Sequence, residues 1–201
     1  MEKAAVQNHE HRDDEAKKIG MWLFIFTELL LFGGLFITYS VYRFLNPDAF
    51  HLAAQELDVT IGTINTAILL VSSATIAMSI TAVQKKQKKI CLLLLILTAI
   101  LAIVFMVNKY FEWGAKFEHG LYPGSQILTD LSKGDILFFG LYFFMTGLHA
   151  LHIIIGIVII GFLIYYVSKD IIYQDNFVVL ENGGLYWHLV DVIWIFLFPL
   201  F

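Results

Sequence analysis

Ionisable side chains set inside long apolar stretches are the first chemistry this sequence offers. Glu28 stands in Trp22–Phe36, and His149 and His152 stand in Phe138–Leu163. His188 and Asp191 follow at the same three-residue spacing, which puts each pair on one helical face. Ser72, Ser73 and Thr75 add hydroxyls, Asn65 an amide, and Lys109 and Glu112 a second three-residue pair. Ionisable groups in lipid are costly, so each is a candidate functional site. Two readings of Glu28 stand side by side: a neutral, hydrogen-bonded structural carboxyl, or a proton-handling group. The histidines read as hydrogen-bonding groups rather than haem ligands. A bis-histidine haem needs opposed imidazoles at matched depth on different helices, and two of the three intramembrane histidines share one turn. Lys109 and Glu112 can snorkel or pair with each other. Tyr186, Trp187, Trp113 and Tyr122 read as interfacial anchors, and His188-Asp191 as a polar helix start. Nothing resembles a hydrolytic triad, a phosphate loop or a zinc site.

The elements that must hold these groups follow from composition. Of 201 residues 59% are hydrophobic and 15% charged, with a mean hydropathy of +0.75. A soluble domain of this size could not hide that much apolar surface, whereas a bilayer needs none of it hidden. Five stretches are long enough to span: Ile19–Tyr42, Thr60–Val83, Ile90–Phe111, Ile136–Val167 and Leu185–Phe201. No strand-like alternation occurs, so the expected class is all-α, one five-helix domain over 19–201 after a polar segment 1–18. The first apolar run carries Glu28 and no small-residue cleavage site, and is expected to be a retained helix rather than a signal peptide. Asn46-Pro47-Asp48 ends the first helix, and Asn182-Gly183-Gly184 is read as the loop before the last. The single cysteine, Cys91, forms no internal disulfide. No basic patch with interleaved aromatics appears, so nucleic acid is not an expected partner.

Charge sets the orientation. With the N-terminus cytoplasmic, that side carries Lys3, Arg12, Lys17, Lys18, Lys85, Lys86, Lys88, Lys89 and Lys169, and the other side Arg43, Lys109, Lys116 and Lys133. The positive-inside rule therefore predicts a cytoplasmic N-terminus and an external C-terminus. At about 1.5 Å per residue, Glu28 lies about 14 Å from the cytoplasmic face. The polar groups of helices one, two, four and five then fall in overlapping layers, as a buried hydrogen-bond network would.

The same residues resemble the third subunit of cytochrome c and quinol oxidases. Gly20-Met21-Trp22-Leu23-Phe24-Ile25-Phe26-Thr27-Glu28 is similar to the family's first such segment, and Asn65 to Thr75 to its second. Lys109-Tyr110-Phe111-Glu112-Trp113, Thr146-Gly147-Leu148-His149-Ala150-Leu151-His152 with Gly156, and Tyr186 to Trp194 follow in the family's order. The resemblance covers nearly everything beyond residue 18 and matches a five-helix bacterial form that lacks the first two helices of the long type.

It implies a non-redox subunit of a haem-copper terminal oxidase in the bacterial inner (cytoplasmic) membrane. Such a subunit binds no haem or copper itself. It packs on catalytic subunit I, with subunit II in the complex, and those partners hold the centres that reduce oxygen to water while the complex translocates protons. Glu28 corresponds to the family's carbodiimide-reactive carboxyl, associated with keeping proton uptake and turnover robust. Structural phospholipids in an interhelical cleft are implied, and there is room for a larger respiratory supercomplex. Two rivals remain at this point: a subunit III-like component of a nitric oxide reductase system, and a small membrane transporter. A transporter would want a broken helix or an internal repeat.

Overall fold

The computed structural model describes residues 2–129 and 132–201, with side chains from Asp14 onward except at residue 129. Lys3 and Arg12, two of the charges used for orientation, lie outside the described side chains. The elements are α1 (Glu2–Leu45), α2 (Pro47–Ala54), α3 (Val59–Gln84), α4 (Lys88–Glu118), α5 (Gln126–Thr129), α6 (Lys133–Ser168) and α7 (Val178–Leu197), then a 3-10 turn Phe198–Leu200. Five of them are long and apolar enough to cross a membrane. No strand occurs among the described residues.

The ends are set by local chemistry. Pro47 cannot continue a helix and instead starts α2 at its first turn. Asp58 caps α3 by accepting from the Thr60 and Ile61 amides at 2.8 and 3.1 Å. Ser132 and Asp135 cap α6 reciprocally. Gly120 takes a φ of 69° where α4 turns off the bundle.

Three boundaries differ from the sequence expectation, and all three change where the polar groups lie. The helix of α1 reaches back through the polar segment as far as Glu2. That of α4 continues to Glu118 rather than stopping near 111, because Lys109, Glu112 and Lys116 sit on its buried face. α7 begins at Val178, so Asn182-Gly183-Gly184 is helix, not loop. His188 and Asp191 are therefore about 15 and 20 Å from the start of α7, not at a polar helix start.

The helices α3, α4, α6 and α7 form the packed body; α1 lies against α6 and α7, and α2 against α6. Ile76, Leu95, Phe105, Ile153, Trp187 and Val190 make the innermost layer, each fully buried. Gly156 lets α6 and α7 close up: a Cβ there would stand 2.6 Å from the Trp187 ring. Tyr186 and Trp187 are consequently core residues, not interfacial anchors. Trp187 donates its indole N–H to Ser72 Oγ at 3.0 Å, and Tyr186 its hydroxyl to the His152 carbonyl at 3.0 Å. Trp113 and Tyr122 are half-buried.

Candidate functional site

The expected single polar network resolves into separate groups. On α1, Glu28 is half-buried and its Oε2 stands 3.0 Å from His152 Nε2 on α6. His152 Nδ1 is 2.8 Å from the Leu148 carbonyl, which can only accept, so Nδ1 carries a hydrogen. The Glu28–His152 contact then holds one proton. It sits either on the carboxyl, with both groups neutral, or on the imidazole, as an ion pair. The edge of Phe32 covers the imidazole, ring centres 5.4 Å apart. This is a two-group site for one proton at the seam between α1 and the packed body.

A second group lies toward the C-terminal end of α4. Lys109, 3% exposed, donates to both oxygens of Glu112 at 2.9 Å and to the Tyr142 hydroxyl at 3.3 Å. The Tyr142 hydroxyl in turn donates to Glu112. The ammonium also stands 5.0 Å from the centre of the Trp194 ring. The pair thus forms inside the bundle; it does not snorkel. Lys116 on the next turns is buried as well, donating to the Glu56 carbonyl at 3.1 Å. A cavity of about 280 Å³ opens beside this cluster, walled by Asp58, Lys109, Glu112, Tyr142, Thr146 and Trp194 among others.

The remaining candidates are local. Ser73 meets His188 Nδ1 at 2.6 Å, and Asp191, 2% exposed, lies beside Ser73 with no hydrogen bond to either carboxyl oxygen. Thr75 pairs with Thr98 at 2.8 Å. Asn65 accepts from the Asn108 amide at 2.8 Å. His149 was expected to hydrogen-bond; instead both its ring nitrogens lack a partner, and its ring lies between Phe105 and Trp194 at 5.8 and 5.1 Å. Among the described residues, no three His, Cys, Asp or Glu side chains gather to hold a metal ion.

Tyr142, Thr98, Asn108 and Lys116 did not stand out in the sequence. Tyr142 could have been found from its seven-residue spacing to His149, which returns to the same helical face. The others are reached only through partners on other helices.

The family model for cytochrome c oxidase subunit III matches residues 1–201. The chain belongs to the cytochrome c oxidase subunit III family. It is the third-subunit type of the haem-copper oxidases, a multi-pass membrane protein that associates with the catalytic oxidase complex. A probable quinol oxidase subunit 3 of Staphylococcus saprophyticus is 32% identical over 181 residues, covering 90% of this chain and 85% of the relative. A cytochrome c oxidase subunit 3 of Thermostichus vulcanus is 30% identical over 198 residues, 98% of this chain and 92% of the relative. A heme-copper oxidase subunit I+III of Aeropyrum pernix is 30% identical over 188 residues, 90% of this chain but 22% of that longer protein.

Proposed function

We propose that this chain serves as the non-redox third subunit of a bacterial haem-copper terminal oxidase, seated in the cytoplasmic membrane against catalytic subunit I, with subunit II in the same complex. The observation that carries the reading is the family match over the whole length. The relative named as subunit I+III supports the choice of neighbour, since one polypeptide there carries both names. The surface of α1 supports it too: 6% of the residues in its most apolar stretch are buried, against 56% in the last span, Val178–Leu200. Such a face calls for lipid or a partner helix.

In this role the chain stabilises subunit I, holds phospholipid between helices and, through Glu28 and His152, keeps proton supply steady during turnover. Haem and copper belong to the partner subunits. Assembly into a larger respiratory supercomplex is compatible with the bare α1 face. The test is purification of the complex through a tag on this chain. Stoichiometric haem and copper with oxygen reduction is the expected result. Haem with nitric oxide reduction and no copper would favour the reductase rival, and no haem at all would sink the oxidase reading in favour of a transporter. Expressed alone, the chain should show no Soret band.

The N-terminus is assigned to the cytoplasm and the C-terminus to the outside. Burial of Lys109 and Lys116 within α4 supports this, because it removes two cations from the outer loops and sharpens the lysine bias. Reporter fusions at residue 87 should report the cytoplasm and at residue 125 the exterior; the reverse pattern refutes the orientation.

A further inference from the structure

α3 and α6 end in the same way, and both ends face one cavity. At the end of α3 the Gln87 amide donates to the Ala82 carbonyl at 2.8 Å, and the Lys86 amide to Val83 at 2.9 Å. At the end of α6 the Ile171 amide donates to Tyr166 at 3.0 Å, and the Asp170 amide to Val167 at 3.3 Å. Both are Schellman closures, whose left-handed residue is usually glycine. Here that residue is Lys86, with a φ of 60°, and Asp170, with a φ of 58°. Their side chains wall a cavity of about 300 Å³ between the α3–α4 turn and the loop that follows α6. Val83 and Val167, the last apolar residues of their helices, also wall it. The cavity therefore lies where two spans leave the lipid, at the level of the headgroups.

The charges around it do not balance. Lys85, Lys86, Lys88, Lys89 and Lys169 lie on the two connections, and the carboxylates of the cavity wall are Asp170 and Asp175. Lys88 clasps the connections together, donating to the Ser168 carbonyl at 2.9 Å and to Asp170 at 2.7 Å. Asp170 is thereby used. Asp175 accepts from the Gln174 amide at 3.1 Å and keeps its other oxygen. Lys169 stands 6.0 Å from the Tyr165 ring centre. Among the described residues, Lys88 alone of the five lysines pairs with a carboxylate. A basic pocket at the end of membrane helices attracts an anionic headgroup. This one has about ten times the roughly 30 Å³ of a water, room for a phosphate with its glycerol.

We propose that this cavity binds the phosphoglycerol headgroup of an anionic phospholipid. The phosphodiester is held by the Lys86 ammonium, and the glycerol hydroxyls donate to Asp175 on the opposite wall. Choline offers Asp175 no donor. Ethanolamine offers one, but its lipid carries no net charge to balance the surplus lysines. A free phosphate shares the Lys86 contact and lacks the glycerol. The site deepens the lipid-holding role proposed above and rests on the chain spanning a membrane, not on its oxidase partners.

The experiment uses the purified complex in phosphatidylcholine nanodiscs that contain a phosphatidylglycerol with a diazirine on its headgroup. Crosslinks are located by peptide mass and are expected at Lys86 and in the Tyr173–Asp175 segment. Lys86→Gly is the deciding variant. It removes the cation and also relieves the left-handed backbone, so the chain should melt no earlier while crosslinking there falls about fivefold. Unlabelled phosphatidylglycerol should compete with the probe, and phosphatidylethanolamine should not. Crosslinks confined to other segments, labelling unchanged in Lys86→Gly, or equal competition by phosphatidylethanolamine would each overturn the site. Inorganic phosphate that displaces the probe as well as phosphatidylglycerol does would assign the cavity to a soluble anion and overturn the lipid. A complex without haem would defeat the oxidase reading and leave this result untouched.

Discussion

Two pairs of ionisable groups, Lys109 with Glu112 and Glu28 with His152, are built in opposite ways. Lys109 and Glu112 stand three residues apart on one helix, so α4 alone brings them together, and Tyr142 closes the cluster from α6. Every donor of the ammonium is used. Glu28 and His152 are 124 residues apart and meet only because α1 docks on α6. Their side chains are 16% and 9% exposed, against 8% and 4% for Glu112 and Lys109. The first pair is a closed fixture in the packed body. The second lies at the seam between α1 and α6, less deeply covered than the first.

Breaking the closed pair should have the largest effect. Glu112→Ala leaves a buried ammonium without its carboxylate, a loss of about 3–5 kcal/mol. It should show as failure to recover assembled complex in mild detergent. Replacing both members, Lys109→Met with Glu112→Leu, should recover much of that loss, since a buried pair often contributes little net stability over apolar residues of similar volume. A double variant no better than Glu112→Ala would mean the cluster does more than balance its own charge.

At the seam the effects should be smaller and of another kind. Glu28→Ala removes the partner of His152 Nε2 and should cost about 1–3 kcal/mol, seen as earlier thermal loss of the chain from the complex. Glu28→Gln keeps the shape and a hydrogen bond, so assembly and oxygen reduction should persist. Its signature should be lost carbodiimide labelling and faster decline of activity in sustained turnover. Loss of oxygen reduction in a fully assembled, haem-replete Glu28→Gln complex would show that the seam pair is required for the chemistry, contrary to the supporting role proposed.

The same contrast explains what the sequence disclosed. Five spans and the Lys109–Glu112 pairing follow from local spacing, because length, hydropathy and a three-residue interval act within one helix. Glu28 and His152 were each visible as costly groups, and their depths matched, but depth leaves the rotation of two helices free. The displaced ends of α4 and α7 share one source. Helix ends were placed where apolar runs stopped, yet α4 continues through Lys116 because its charges are satisfied internally, and α7 starts in Val178–Gly184 because glycines allow close approach to α6. That shift turned Trp187 from a supposed surface anchor into the centre of the core. His149 was legible as a buried histidine, but its lack of partners depends on which residues of α4 and α7 face it.

The docking of α1 on α6 and α7, the last two spans, carries a consequence for how the protein is made. The first spanning helix leaves the ribosome long before either surface that receives it. Until α6 arrives, Glu28 has no imidazole to meet; until α7 inserts, Ile25 and Phe32 lack Leu189 and Ile193, with which they share a small apolar cluster. Lys18 likewise waits for Glu181, its partner at 3.0 Å. During synthesis α1 is therefore a free helix in lipid, carrying a carboxyl that any insertase or chaperone able to recognise intramembrane polar groups could hold. A nascent chain halted before residue 178 should expose this helix to crosslinking by such factors, and release of the last twenty-odd residues should withdraw it.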